Sequence, residues 1–153
     1  MPTSGISPLE STLMIDKDRI TKAKLDIIQV TERIDSLIGK GLDSYLSDEK
    51  APLALKYLLI EAVEAISDIC QHLLAKTKGI ACLGYVDCIV KAGQEGIITS
   101  ALSERLRRLA DLRNIIIHRY WVIDDQKIFQ ETIENKRELA DFVGQIEAFL
   151  ASL

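Results

Sequence analysis

The chain has 153 residues, of which 48% are hydrophobic, 5% are aromatic and 27% are charged, and its net charge is −4. This length suits one domain with a single core. The hydrophobic content is too high, and the net charge too low, for a disordered chain. No uncharged apolar run reaches the roughly 18–20 residues of a membrane span, so we expect no membrane association. The acidic total argues against nucleic-acid binding over the whole surface.

The first 13 residues are rich in serine, proline and glycine, which predicts a flexible N-terminal arm (1–13) before a helical domain (14–153). The first basic residue is Lys17, so the chain lacks the positively charged start of a signal peptide. The three cysteines, Cys70, Cys82 and Cys88, form no C-x-x-C pair. We therefore expect reduced cysteines, no metal site and a cytoplasmic protein.

Apolar residues at spacings of three and four predict helices along the whole domain. The first helix begins after Asp16, a suitable N-cap, and ends at Gly39. A short polar connection over 42–50 leads to a second helix, which holds Pro52 in its first turn and extends to about Lys76. The residues expected in the core of these two helices are Ile20, Ala23, Ile27, Val30, Ile34, Leu37, Leu55, Leu59, Ala62, Ile66, Ile69 and Leu73.

A short helix over about 85–92 follows a linker of small residues. Thr99 or Ser100 then caps the fourth helix, and Asp124 or Asp125 begins the last one, which we predict as a single helix. The residues expected in the core of these two helices are Leu102, Leu106, Leu109, Ile116, Phe129, Ile133, Ala140, Val143, Ile146 and Leu150. The fold class is therefore all-α, an up-and-down helical bundle of four long helices plus one short helix.

Positive charge is concentrated between Ala101 and Trp121. Five arginines and two acids give this window a charge of +3, which leaves −7 for the rest of the chain. Every cation here is an arginine, whose planar fork suits bidentate binding of phosphate. The window also contains one of the two histidines and the only tryptophan. This composition indicates a focused site for a phosphodiester. The arginines are Arg105, Arg107, Arg108, Arg113 and Arg119.

Three consecutive isoleucines, 115–117, follow within the same predicted helix. Because consecutive residues lie about 100° apart, together they cover more than half of the helix circumference. One bundle can rarely bury that much apolar surface. We therefore expect a two-fold homodimer across the helix from Arg113 to Trp121, and larger assemblies are left open.

Helical geometry limits how the polar residues of this window can meet. Arg113 and Tyr120 are seven residues apart, so they share one face to within about 20°. Arg113 and His118 are five residues apart, about 140° around a straight helix. A bend near the isoleucines or a second subunit would be needed to bring them together, and the spacing does not choose between these two.

The pattern Arg113-x4-His118-x-Tyr120 resembles the R-x4-6-H motif of the HEPN superfamily. Its R-x4-H-x-Y form is similar to HepT-like toxins of the MntA–HepT toxin–antitoxin system. Asn114 also matches, because a polar residue commonly follows the motif arginine. The resemblance covers about 16–153 and includes the order of long and short helices.

This resemblance implies a metal-independent endoribonuclease with no cofactor and with its cleft between two subunits. Two copies of His118 would serve as general base and general acid on the RNA, Arg113 would stabilise the transition state, and Asn114 would orient His118 or the phosphate. The expected product is a 2′,3′-cyclic phosphate. An MntA-like nucleotidyltransferase antitoxin would neutralise the toxin by transferring AMP to Tyr120. The residues expected to contact RNA are Arg105, Arg107, Arg108 and Arg119.

Two other functions fit the same bundle. One is a non-catalytic helical partner that holds substrate for a nucleotidyltransferase, and the other is a plain dimeric scaffold. A pure binding module has no chemical reason to keep both Arg113 and His118, and a scaffold leaves the arginine excess unexplained.

Several side chains also have simpler structural interpretations. In the simpler interpretation of the first arginines, a solvated helix face contains Arg105, Arg107 and Arg108, and Glu104 pairs with Arg108. We expect Trp121 to be a packing residue, and Tyr120 could likewise pack its ring while its hydroxyl stays in water.

The second helix carries a further set of polar residues. His72 lies four residues after Asp68, and a hydrogen-bonded structural histidine is the favoured interpretation. Glu61, Glu64 and Asp68 form an acidic edge that is either solvated, directed at the arginines or part of an antitoxin-binding surface.

Overall fold

A computed structural model describes residues 14–153, so the arm predicted for 1–13 lies outside the described residues. Over 14–153 the chain forms helices and no strand. The α-helices are α1 (Lys17–Ile38), α2 (Leu42–Ser47), α3 (Ala51–Leu73), α4 (Tyr85–Gln94), α5 (Ser100–His118), α6 (Asp125–Asn135) and α7 (Arg137–Ala151). A π-helical turn (Leu74–Lys78) extends α3, and a 3-10 turn (Tyr120–Val122) follows α5. The all-α prediction is confirmed.

The helix ends follow the predicted signals. Asp16 caps α1 by accepting a hydrogen bond from the Arg19 amide at 3.0 Å, and Gly39 ends this helix. Pro52 lies in the first turn of α3, where its missing N–H costs nothing. Thr99 caps α5 through its hydroxyl. Every residue predicted for the core of α3 is buried, and in α1 only Leu37 is partly exposed.

Contacts between helix ends show the up-and-down order. The start of α1 meets the end of α3, where His72 Nε2 accepts a hydrogen bond from the Asp16 amide at 2.9 Å. The start of α5 meets the middle of α7, where Gln145 Oε1 accepts a hydrogen bond from the Thr99 amide at 2.7 Å. In addition, α7 packs against α1, and α4 packs along α5. The four long helical segments of the bundle are therefore α1, α3, α5 and the α6–α7 pair.

The connection predicted as polar over 42–50 instead contains the helix α2. Gly41 starts it with a positive φ of 91°, which glycine adopts without strain. Its anchor is Tyr45, which is buried against the Phe129 ring at a centroid distance of 4.9 Å. The prediction was wrong because one aromatic side chain, rather than a periodic stripe, holds this segment on the bundle.

The last helix, predicted as continuous, breaks at Lys136 into α6 and α7. The break changes which side chains face the core: Ile133 and Ala140 are exposed, while Leu139 and Phe142 are buried. No proline or glycine marks this point, so the sequence gives no sign of it. The predicted cap at Asp124 is confirmed, since its carboxylate accepts from the Gln126 and Lys127 amides.

The cysteines correct a further prediction. Cys82 and Cys88 form a disulfide, with a Cα–Cα distance of 5.0 Å, whereas Cys70 is free and buried. Gly84 lies between the bonded residues and turns the backbone with a φ of 85°. The six-residue separation follows no common redox spacing, which is why the pairing was not predicted.

Candidate active site

The arginine-rich window forms α5, which is one uninterrupted α-helix from Ser100 to His118. Leu102, Leu106, Ala110 and Ile116 bury one side of it. The helix continues through the isoleucines without a break, so no interruption of the helix brings Arg113 and His118 together. About 140° therefore separates the two side chains around the helix axis.

The helix ends inside the motif, earlier than predicted. Arg119 leaves the helical conformation with φ −143° and ψ 43°, and Tyr120 begins the 3-10 turn. The prediction that Tyr120 shares the face of Arg113 assumed that the helix continues, and it is wrong. Tyr120 instead lies on a separate turn beyond the end of α5.

Arg113 is held on two sides. Its guanidinium carbon lies 4.2 Å from the centroid of the Tyr85 ring, and its Nη1 donates a hydrogen bond to Asn114 Oδ1 at 3.1 Å. Its Nε is buried and makes no hydrogen bond within residues 14–153. Asn114 therefore holds Arg113, and its role in orienting His118 or the phosphate stays a prediction. Because Nε is buried and Nη1 is bonded to Asn114, the donor of this partly exposed side chain that is suited to an anion is Nη2.

Tyr85 is the residue of this site that the sequence did not reveal. It is the first residue of α4, in a different helix from the motif. Periodicity relates residues within one helix only, and an aromatic residue after Gly84 reads as an ordinary packing residue. Nothing in the order of residues connects Tyr85 to Arg113.

The other motif residues face solvent. His118 and Arg119 are exposed, and Tyr120 and Trp121 are 67% and 68% exposed. The two aromatic rings touch edge to face, with centroids 5.5 Å apart. The expectation that Trp121 packs in the bundle is therefore wrong, and the Tyr120 ring is not packed either. Both side chains are accessible to another molecule.

The first arginines of α5 differ from Arg113 in their partners. Arg105 pairs with Glu138 at 3.4 Å and with Asp141 at 3.8 Å, and Arg107 lies 4.0 Å from Glu104. The predicted pair of Glu104 with Arg108 is thus replaced by Glu104 with Arg107. Burial raises the pKa of Glu138, and the neighbouring Arg105 opposes this rise. Arg105 is therefore primarily a structural cation that compensates a buried carboxyl group.

Only one of the three consecutive isoleucines faces the core of the bundle. Ile116 is buried, whereas Ile115 is 40% and Ile117 is 42% exposed. Ile115 and Ile117 lie about 160° apart around the helix axis, on either side of Ile116. Tyr120, Trp121 and Val122, just past the helix end, are exposed as well. Exposed apolar side chains at this end of α5 are suited to a protein contact.

The polar residues of α3 have structural partners. His72 is buried, and burial lowers its pKa, which keeps its Nε2 neutral as the acceptor for the Asp16 amide. The structural interpretation of His72 is confirmed. Asp68 pairs with Arg19, with one of the N–O distances at 3.1 Å, so this end of the acidic edge faces α1 and not the arginines of α5.

Residues 14–153 contain neither a cluster of metal-ligating side chains nor a helix that could span a membrane. No group of three or more histidine, cysteine, aspartate or glutamate side chains is placed so that it could hold a metal ion. No helix in this range is both long enough and apolar enough to cross a membrane.

Comparison with protein families gives a match to the model described as "HepT-like: Ribonuclease HepT-like" over residues 27–146. The tRNA nuclease HepT of Aphanizomenon flos-aquae is 26% identical over 135 residues, which cover 88% of this chain and 92% of that protein.

Solved structures share the fold at low identity. A toxin–antitoxin structure with AMP-PNP matches with a TM-score of 0.79 and 22% identity, over 85% of this chain and 98% of that one. The tri-AMPylated Shewanella oneidensis HEPN toxin in complex with MNT antitoxin gives 0.80 and 23%, over 86% and 98%. The protein YutE from Bacillus subtilis, described as cytosolic and of unknown function, gives 0.77 and 20%, over 90% and 92%.

Proposed function

The chain belongs to the HepT-like ribonuclease family, and we propose that it is a metal-independent endoribonuclease, the toxin of a HEPN/MNT toxin–antitoxin pair. The observation that carries this proposal is Arg113, which is fixed by Tyr85 and Asn114, is partly exposed and keeps its Nη2 donors without an acceptor among residues 14–153. A phosphodiester oxygen is the ligand that such a donor suits.

The catalytic cleft is proposed to lie between two subunits. Arg113 and His118 point about 140° apart on one helix, so one chain alone does not direct both at one phosphate. The exposed Ile117, next to His118, is an apolar residue on which a second copy would pack, together with the exposed turn that follows α5. A two-fold axis beside α5 would bring both copies of each residue to one site.

The chemistry then needs only these side chains and the RNA itself. One His118 imidazole accepts the proton of the ribose 2′-OH, and the 2′-oxygen attacks the adjacent phosphorus. The bond from phosphorus to the 5′-oxygen breaks, and the second His118 donates a proton to this leaving group. Arg113 stabilises the charge that builds on the phosphoryl oxygens. The products are a 2′,3′-cyclic phosphate and a 5′-hydroxyl end.

Tyr120 is proposed to be the regulatory site. Its hydroxyl is on an exposed turn next to the end of α5, where an MntA-like nucleotidyltransferase antitoxin could reach it. The phosphate of an attached AMP would be negatively charged and would compete with RNA for Arg119 and Arg113. Mass spectrometry of the toxin co-expressed with its antitoxin should then show AMP on Tyr120, and a fully inhibited protein without AMP would contradict this.

The ribonuclease proposal is tested by cleavage of a defined RNA in the presence of EDTA. We expect Arg113→Ala and His118→Ala each to lower kcat by at least about 100-fold, since each removes one element of the transition-state stabilisation. Arg33→Ala, at an exposed site on α1, is the matched control and should cleave normally. A requirement for Mg²⁺, or full activity of both variants, would refute the proposal.

The proposed location is the cytoplasm, since cellular RNA is the substrate. Cytoplasmic thiols act on disulfides, so the state of the Cys82–Cys88 bond must be controlled in each assay.

A further inference from the structure

The contact between α4 and α5 places the Arg113 guanidinium carbon over the Tyr85 ring, 4.2 Å from its centroid. A ring in this position attracts the cation through its face without forming a hydrogen bond. Asn114 accepts from Nη1 and the Nε–H is buried, whereas Nη2 makes no hydrogen bond within residues 14–153 and the residue is partly exposed. The ring and Asn114 therefore hold the guanidinium without consuming the Nη2 donors, which are the ones left for a phosphate.

The register of α4 on α5 is fixed at the opposite end of α4. A Cβ atom on Gly93 would lie 2.5 Å from the Ser103 Cβ, so only glycine allows this approach. Beside it, the buried Ser103 Oγ donates a hydrogen bond to the Ile89 carbonyl at 2.9 Å. Together these contacts fix the position of α4 along α5. With Gly93 held beside Ser103, the other end of α4 places Tyr85 beside Arg113.

The start of α4 is fixed as well. The Cys82–Cys88 disulfide closes a short loop around Tyr85, and the Asp87 carboxylate accepts a hydrogen bond from the Leu83 amide at 2.8 Å. Lys91 pairs with Asp87 and donates to the Ala81 carbonyl, both at 3.1 Å. The backbone that carries the Tyr85 ring is thus restrained on both sides of the residue.

We infer that Tyr85 is a positioning residue for cleavage, which holds the Arg113 guanidinium in the plane that meets the phosphate. This inference rests on the proposed ribonuclease function. A free arginine side chain has four rotatable bonds. Fixing them would cost conformational entropy each time the transition state forms. The stack and the Asn114 bond complete that ordering before RNA arrives, which is how preorganised electrostatic groups accelerate a reaction.

The test compares three residues at position 85 in the oxidised, full-length protein. Tyr85→Phe keeps the ring and should cleave RNA with a kcat within about twofold of the wild type. Tyr85→Leu keeps apolar bulk but loses the π-face, so we expect kcat to fall about tenfold while KM changes less than twofold. Tyr57→Leu, an exposed tyrosine on α3, is the matched control and should leave both constants unchanged.

A second variant separates the electronic role from packing, and it serves if Tyr85→Leu does not fold. Pentafluorophenylalanine at position 85 keeps the shape of the ring but reverses the charge of its face. We expect kcat to fall about fivefold with an unchanged melting temperature. If this variant is as active as Tyr85→Phe, the positioning role is refuted, because the ring then acts only through its volume.

The stack also has a readout that does not depend on activity. The Nε–H resonance of Arg113 should be shifted by the ring current in the wild type and in Tyr85→Phe, and it should lose this shift in Tyr85→Leu. An Nε–H signal that is the same in all three proteins, or a KM that rises while kcat stays constant, overturns the inference. A wild type that shows the shift but leaves RNA intact refutes the ribonuclease proposal and, with it, a role for Tyr85 in cleavage, while the stack itself is retained.

Discussion

The two halves of α5 carry the same residue type in opposite settings. In the first half, Arg105 and Arg107 meet carboxylates, and one of these, Glu138, is buried. In the second half, Arg113 meets an aromatic ring and an amide, and just beyond the helix end Arg119 is exposed without a carboxylate partner among residues 14–153. A carboxylate partner neutralises the charge of an arginine, whereas an aromatic ring has no net charge and leaves the guanidinium able to bind an anionic ligand. The partners, not the residue type, distinguish structural from functional cations.

The largest effect should come from a charge at Ile117, one of the exposed apolar residues in the second half. Ile117→Glu places a charge in the proposed subunit contact, where its desolvation would be costly. We expect a monomer by light scattering and a loss of RNA cleavage of at least about 100-fold, because the composite site is no longer assembled. Ile133→Glu, at a residue on α6 that is 47% exposed, is the matched control. A monomeric but active Ile117→Glu protein would exclude a composite site.

The second prediction tests whether the close contact between α4 and α5 stabilises the fold. Gly93→Ala forces its Cβ against Ser103, so α4 must move away from α5, and we expect a loss of about 1–3 kcal/mol in the free energy of unfolding. Gly144→Ala on α7 meets nothing within 4 Å and should be neutral or stabilising by up to about 1 kcal/mol. Urea unfolding measures both. Equal stability of the two variants would show that the close contact is not required.

The third prediction compares the loss of Arg105, which pairs with a buried carboxyl group, with the loss of the exposed Arg119. Arg105→Ala leaves the Glu138 carboxyl without its partner, and we expect about 1 kcal/mol lower stability, modest because Arg105 is partly exposed, with kcat unchanged. Arg119→Ala should leave stability unchanged but raise KM for RNA and reduce the salt dependence of binding. Thermal unfolding and RNA titration at two salt concentrations separate these outcomes. The opposite pattern would reverse our assignment of the two halves.

The smallest effect concerns pH and a region far from the motif. Burial lowers the pKa of His72 below the ordinary 6.5, so the unfolded chain binds the proton more readily than the folded one. The contribution of His72 is therefore complete above about pH 6.5 and is lost as the pH falls through its lowered native value. In a His72→Gln variant, which cannot titrate here, unfolding curves should show a weaker decline of stability below pH 6.5. An identical decline in both proteins would assign the acid sensitivity elsewhere.

Periodicity predicted the parts of the molecule that depend on one helix at a time. The caps at Asp16, Thr99 and Asp124 and the buried stripe of α3 follow from local chemistry, and all of them are confirmed. The missed features depend on contacts between distant segments. The break at Lys136 follows from how α6 and α7 pack, with no breaker residue to mark it.

The candidate site shows the same division. The sequence placed Arg113, Asn114 and His118 on one helix, as observed, because their spacing is a local property. It did not reveal Tyr85, since a stack between two helices depends on their register. It also placed Tyr120 on the face of Arg113, because no residue at the end of α5 announced the change to a 3-10 turn.

The turn Tyr120–Val122 has no buried residue, and its backbone is closed by hydrogen bonds from the Val122 amide to the Arg119 carbonyl and from the Ile123 amide to the Tyr120 carbonyl. Substitutions there would cost the bundle little free energy. In the function proposed above, Trp121 and Val122 are therefore free to change with a particular partner, while the Tyr120 hydroxyl and α5, which carries both Arg113 and His118, keep their roles. Partner choice and chemistry would then be encoded in adjacent but separable stretches of one chain.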